Sequence, residues 1–188
     1  MGHREKAVRG GNVDEKLIRR IAEGDNHAFE ILYRESKAAV YGLALAVVRN
    51  VHTAEDVMQE TYIRVYDAAP TYHPQGKPMA WIMTITRNLA LMKLRKNAMA
   101  DHVPVPDWHM AKAVSEPEQS IDRMVLETAI YSLNDEERQI IMLHDIAGMK
   151  HREIGDILKI PLPTVLSKYR RALSKLKKRL REGMWDEQ

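Results

Sequence analysis

The chain has no cysteine among its 188 residues. Neither a disulfide framework nor a thiolate metal site can be built from it. No apolar run approaches the roughly 20 residues that a membrane-spanning helix needs, so membrane insertion is not expected. The start, Met1-Gly-His-Arg-Glu-Lys6, is polar and lacks the apolar core of a secretory signal. A cytoplasmic protein is expected. There is no Walker loop, nucleophile elbow or dinucleotide fingerprint. The eight histidines (3, 27, 52, 73, 102, 109, 144, 151) are scattered, with no H-E-x-x-H and no pair four apart. His144 and Asp145 adjoin, but neighbours on a helix point apart. These absences argue against an enzyme, a cofactor and a metal centre. Period-two alternation is also missing, as are internal repeats and low-complexity tracts. An all-α fold is expected.

What is present is a globular composition, 45% hydrophobic and 29% charged, long enough for one domain or two small ones. Its charge is uneven. Residues 159–182 hold nine Lys or Arg (Lys159, Lys168, Arg170, Arg171, Lys175, Lys177, Lys178, Arg179, Arg181) against one acid, Glu182. With +3 overall and +8 in this segment, the rest stands near −5. A basic end facing a polyanion and a more acidic body with another task fit this asymmetry; a solvated basic helix is the plainer alternative.

Apolar spacing of three and four predicts helices throughout. Asp14–Glu23 carries Leu17, Ile18 and Ile21 and stops at Gly24-Asp25. Asn26 is the expected cap of a helix to about Arg49, with Phe29, Leu32, Tyr33, Val40, Leu43, Ala44 and Val47 on its apolar face. Thr53, with Asp56 three residues on, is the expected cap of a helix over Ala54–Ala68 with Val57, Met58, Tyr62, Val65 and Tyr66 inward. Pro70 to Pro78 reads as a loop. A helix from Met79 to about Lys96 has a stripe of Trp81, Ile82, Ile85, Leu89 and Met92, and Met79, Met83 and Met92 are expected to pack. Prolines at 104, 106 and 117 mark a linker. Helices follow over about Glu118–Tyr131 and, behind a capping box of Asn134 and Glu137, over Asp135–Asp145.

The last segments are the most telling. Met149–Leu158 and a helix opening near Pro163 flank a break at Lys159-Ile160-Pro161. Gly155 sits where two closely crossing helices would touch, and Ile154, Leu158, Ile160, Val165, Tyr169 and Ala172 would form a small core. Thr164 lies early in the second helix, and Ser167, Lys168, Arg170 and Arg171 project from its outer face. This is a helix-turn-helix whose side chains suit phosphates and base edges of duplex DNA, with salt-dependent binding. An ordinary helical hairpin is the alternative, disfavoured by the basic face.

Two longer blocks then carry a resemblance. Ala54-Glu-Asp-Val-Met-Gln-Glu-Thr-Tyr-Ile-Arg-Val-Tyr66, followed by Ala80-Trp-Ile-Met-Thr-Ile-Thr-Arg-Asn-Leu-Ala90, resembles region 2 of bacterial sigma factors. Leu133-Asn-Asp-Glu-Glu-Arg138 through Ile160-Pro-Leu-Pro-Thr-Val-Leu-Ser-Lys-Tyr-Arg-Arg-Ala172 resembles their region 4. The pairing of these two regions alone resembles the extracytoplasmic-function (ECF, group IV) subfamily. The resemblance implies two small helical domains joined by a flexible linker: a tail over 1–12, region 2 over 13–98, a linker over 99–117, region 4 over 118–182 and a tail over 183–188. It implies binding to core RNA polymerase, through the largest subunit's coiled coil and, for region 4, the flap. It further implies recognition of promoter DNA, help in opening it, and control by an anti-sigma factor.

By the same resemblance, Asp56, Gln59, Glu60 and Arg64 dock on polymerase. Tyr72, His73, Arg87 and Asn88 meet the −10 element, with Lys93 as a further phosphate contact. Thr164, Leu166, Ser167, Lys168, Arg170 and Arg171 meet the −35 element. Other roles compete: dipole complementation for Glu55, Asp56 and Glu60, core packing for Trp81, simple exposure for His73. The chain departs from the family pattern at Leu166, where a basic residue is common, at Lys159 and Pro163, where Gly is common, and at Met92-Lys93, where an acidic-aromatic pair is common. A stand-alone regulator binding an operator as a dimer, and a helical adaptor that binds only protein, are the competing functions.

Overall fold

The computed structural model describes residues 13–99 and 128–185, with backbone only for Met99 and 182–185. Most of the expected linker, the tail 1–12 and the start of the helix expected at Glu118 lie outside the described residues. Among the described residues there are helices and turns and no strand.

The first half is a helical bundle. α1 (Glu15–Ala22) is capped by Asp14, whose carboxylate accepts from the Lys16 amide at 2.9 Å. It ends at Gly24, where φ is +86°. Asp25, rather than the expected Asn26, caps α2 (Asn26–Val48): its carboxylate accepts from the Ala28 amide at 3.0 Å while Arg20 holds its other oxygen at 2.7 Å. Acceptor strength decides this, because the ion-paired carboxylate already points at the helix N-terminus. α3 (Val51–Ala68) likewise starts earlier than expected. Asn50 caps it through the Thr53 amide at 2.9 Å, so Thr53 is a first-turn residue and Val51 adds to the core. A 3-10 turn (Ala69–Thr71) leads into the loop, and α4 (Pro78–Met99) opens on the proline, whose missing N–H costs little there.

Leu32, Val40 and Leu43 of α2, Val57 and Val65 of α3, and Ile82 and Met83 of α4 are fully buried. Ser36 donates to the Leu32 carbonyl at 2.6 Å and so accepts from the buried Tyr62 hydroxyl at 2.8 Å. Three expected core residues differ. Tyr33, Tyr66 and Met92 are exposed, the two tyrosines as the outer members of an aromatic cluster with Phe29 and Tyr62.

The second half begins with a helical turn at 128–131. Its α5 (Asp135–Ile141) opens on the expected capping box, with Asn134 and Glu137 exchanging bonds at 2.9 and 3.3 Å. The chain then passes through a π-helical turn (Met142–Ile146). α6 (His151–Leu158) and α7 (Leu162–Trp185) complete it. The helix thus continues to Trp185, past the expected tail boundary at 183.

The two halves pack together. α2 runs along α5 and the π turn, α4 meets α6, and Ile140, Leu143 and Ile154 share one apolar core with Leu43 and Met83. Gly42 permits the approach: a Cβ there would stand 3.3 Å from the Met142 sulfur. Buried Arg138 reaches across to donate to the Ala46 carbonyl at 3.0 Å, and Arg49 pairs with Asp135.

Candidate nucleic-acid interface

The helix-turn-helix is built as its residues require. Gly155 is buried, and a Cβ there would lie 2.9 Å from the Ile160 carbonyl oxygen, so glycine alone fits the crossing. Ile154, Leu158 and Val165 are buried in one core with Ile160 and Tyr169 packed at its edge, whereas Ala172, expected in that core, is buried in a second cluster against Leu133 and Ile141. Lys159 ends α6 in the left-handed region with φ +60°, a conformation that suits Gly better. Ser167, Arg170 and Arg171 are exposed, Leu166 is 36% exposed, and Thr164 is half-buried. Ser167 donates to the Thr164 carbonyl at 3.0 Å. Lys168 is drawn aside, its ammonium 2.5 Å from the Glu136 carboxylate, while Lys175 pairs at 2.7 Å with buried Glu137.

Tyr72, His73, Arg87 and Asn88 line one cleft of about 730 Å³. That is within the range of ~300–1,000 Å³ typical of ligand sites. Trp81, expected in the core, is half-buried and lines it too, with its ring 4.8 Å from that of Tyr72. The loop is held by a residue that local pattern does not single out. Glu15 accepts from the Tyr72 hydroxyl at 2.7 Å and from the Gln75 and Gly76 amides at 2.9 Å each. These donors hold the Glu15 carboxyl below its usual range, the Tyr72 bond foremost. Burial, then Glu15, pushes the Tyr72 phenol up to about 12, so it is a neutral donor at physiological pH. Arg87 donates from Nε to Gln139 of α5 at 3.0 Å, and burial lowers its pKa. Glu153, Asp156 and Ile157 of α6 and its C-cap Lys159 also line the cleft.

Asp56, Gln59, Glu60 and Arg64 share one face of α3, three and four residues apart. Asp56 and Gln59 are exposed, Glu60 accepts from Arg64 at 3.0 Å, and Lys93 lies 3.7 Å from Asp56. Ile63, 56% exposed, adds an apolar side chain to this polar face.

Among the described residues no group of three or more His, Asp or Glu could hold a metal ion. Two scattered histidines do meet: the His144 and His151 rings are 4.2 Å apart, each against Tyr169. Again among the described residues, no helix is long and apolar enough to cross a membrane.

Residues 32–99 match the family model for Sigma-70 region 2, and residues 129–178 that for Sigma-70, region 4. The chain is 30% identical over 174 residues to the ECF RNA polymerase sigma factor SigK of Mycobacterium sp. (strain KMS), covering 86% of this chain and 87% of that one. It is 29% identical over 187 residues to the ECF RNA polymerase sigma factor SigW of Bacillus subtilis (strain 168), covering 89% and 96%. In fold it is similar to the sigma factor RpoE solved in complex with the anti-sigma factor NepR from Bartonella quintana, with a TM-score of 0.65 and 21% identity over 81% of this chain and 96% of that one. Two sigma regions in order on an all-helical chain, and identity sustained along most of its length, make this protein a member of the ECF RNA polymerase sigma factors, non-enzymatic initiation factors that bind core polymerase and promoter DNA.

Proposed function

We propose that the Tyr72–Asn88 cleft receives the −10 strand of a promoter once the duplex opens. The observation that carries this reading is the convergence of Tyr72, His73, Arg87 and Asn88 on one cleft, with Trp81 beside Tyr72. Stacking of an unpaired base on an aromatic side chain returns about 1–3 kcal/mol, which offsets part of the cost of opening. Asn88 can donate to and accept from a base edge, and Arg87 supplies a phosphate contact. The α3 face of Asp56, Gln59, Glu60 and Arg64 docks on the polymerase's largest subunit, where complementary charge sets the register. α7 enters the major groove at the −35 element through Thr164, Ser167, Arg170 and Arg171, and Lys168 joins them if Glu136 releases it. Leu166 meets a thymine methyl rather than a phosphate. Region 4 also meets the polymerase flap.

The protein acts in the cytoplasm, with its polymerase. The likeness to a sigma factor solved with its anti-sigma factor supports regulation of this chain by a partner of that kind. Asn88→Ala should reduce run-off transcription at least tenfold while leaving co-elution with core polymerase intact. Equal loss in both assays would remove Asn88 from strand reading.

A further inference from the structure

We propose that Glu15 is a positioning residue of the −10 cleft: from the first turn of α1 it fixes the loop from Tyr72 to Gly76, so that Tyr72 meets an unpaired base as a stacking platform and not as a hydrogen-bond donor. The inference rests on the assignment of that cleft to the −10 strand.

Three observations carry it. First, a single oxygen, Glu15 Oε1, accepts from the Tyr72 hydroxyl at 2.7 Å and from the Gln75 and Gly76 amides at 2.9 Å each. Two successive amides converging on one oxygen form the kind of backbone nest that holds an anion, and Gly76, at φ +67°, supplies the left-handed turn. Second, the anchor comes from outside the loop. Glu15 stands 57 residues before Tyr72, on a helix that Asp14 already caps, and α1 packs against the 3-10 turn leading into the loop. Third, the ring held in this way lies 4.8 Å from that of Trp81, and both side chains are half-buried in the cleft.

A loop ordered at the moment of binding costs affinity, and one ordered beforehand avoids that cost. Pro70, Pro74 and Pro78 stiffen the segment without aiming it, whereas the Glu15 bonds set which way the Tyr72 ring faces. A ring face stacks on any base; an O–H donor would favour bases with an acceptor on the edge it meets. With the Tyr72 hydrogen given to Glu15, base choice in this cleft falls to the exposed His73 and Asn88. An acidic first-turn residue also complements the helix dipole, and that role is the competing account of Glu15. The two roles make different demands. The dipole needs charge and accepts Asp as well as Glu. The loop needs reach, which Gln keeps and Asp lacks.

Full-length variants assembled with core polymerase separate them, on a promoter that the unmodified chain transcribes. Glu15→Asp withdraws the carboxylate by one methylene, beyond the ~3.2 Å reach of an N–H···O bond. It should lower run-off transcription about tenfold, as should Glu15→Ala, while both still co-elute with core polymerase. Glu15→Gln keeps an acceptor of the same reach, weaker for want of charge, and should lose only about twofold to threefold. Tyr72→Phe should lower transcription on its own but cost nothing further in the Glu15→Ala background. It should also leave unchanged the order of preference among bases substituted through the −10 element. Glu15→Asp as active as Glu15→Gln, or more active, overturns the proposal and leaves the dipole role. Additive losses from Glu15→Ala and Tyr72→Phe overturn it too, as does a base preference that moves with the Tyr72 hydroxyl. If Glu15→Ala does not fold, the Asp and Gln variants decide alone: Asp the weaker supports the proposal, any other order overturns it. Asn88→Ala and Tyr72→Ala variants that transcribe like the unmodified chain would instead defeat the −10 assignment, and the positioning role with it.

Discussion

Arg138 condenses the interface into one side chain. Its guanidinium donates to the Ala46 carbonyl at 3.0 Å, to Leu133 at 2.6 Å and to Asp135 at 3.2 Å. Burial, then the neighbouring Arg49, lowers its pKa, while Asp135 opposes the shift. A buried cation persists only when its donors are satisfied, and here backbone carbonyls do most of that, those of Ala46 and Leu133 closest and that of Ile130 at 3.4 Å. Arg138→Met keeps much of the volume but removes the donor from the Ala46 and Leu133 carbonyls, its two short-bonded acceptors. With each buried unsatisfied group costing about 1–3 kcal/mol, the variant should lose about 2–4 kcal/mol in denaturant unfolding, and amide exchange along α5 should rise. Sequence alone marks Arg138 only as one charge in a capped acidic helix; nothing local says that it is buried. Glu15 is similar, because its partners at 72, 75 and 76 are distant in sequence. Gly155, by contrast, is readable, since a helix crossing at that spacing demands the smallest residue.

Among the elements, the helix-turn-helix concentrates two departures from ease. Lys159 holds a left-handed conformation that costs an L-residue roughly 1–2 kcal/mol. Lys159→Gly should therefore raise thermal stability by about 0.5–1 kcal/mol after the extra chain entropy of glycine is subtracted, read as an upward shift of the melting temperature. The His144 and His151 rings face each other with Asp145 and Tyr169 beside them, and His144 Nδ1 bonds the Met149 carbonyl at 2.8 Å. Burial, then His144, pushes the His151 imidazole below 6.5. A histidine with a depressed folded pKa binds its proton more readily when unfolded. Its stabilisation is therefore complete above about pH 6.5 and lost as pH falls through and below that value. Melting temperatures measured from pH 7.5 to 5 should decline, and His151→Asn should flatten the decline; parallel curves would exclude His151 as its source. The element boundaries were legible to within a few residues, and the misses at Asn26 and Thr53 share a cause. Several adjacent Asp, Asn and Thr residues can cap, and the choice falls to the one whose oxygen already faces the amides.

At the scale of the molecule, charge is partitioned by surface. α7 turns its basic residues outward, while acids of α5 hold two of its lysines, Lys168 and Lys175. Arg171 is exposed, so Arg171→Ala should weaken duplex binding across sequences and lower the slope of log affinity against log salt by about 1. An unchanged slope in titrations from 50 to 200 mM salt, roughly the span over which such contacts are lost, would remove Arg171 from the phosphate contacts.

The amino-acid sequence by itself determined the helices, the capping box at Asn134, the glycine of the helix crossing and the order of the two sigma regions. The first three depend on residues within a few turns of each other, and the order of the regions on two blocks that are each read along the chain. It did not determine that Tyr33 and Tyr66 face solvent, that Glu15 ties down the cleft loop, or that region 4 rests on region 2 through Arg138, Gly42 and Gln139. Those outcomes require surfaces far apart along the chain to meet. Periodicity tells which face of a helix is apolar, whereas only packing in three dimensions decides what covers it.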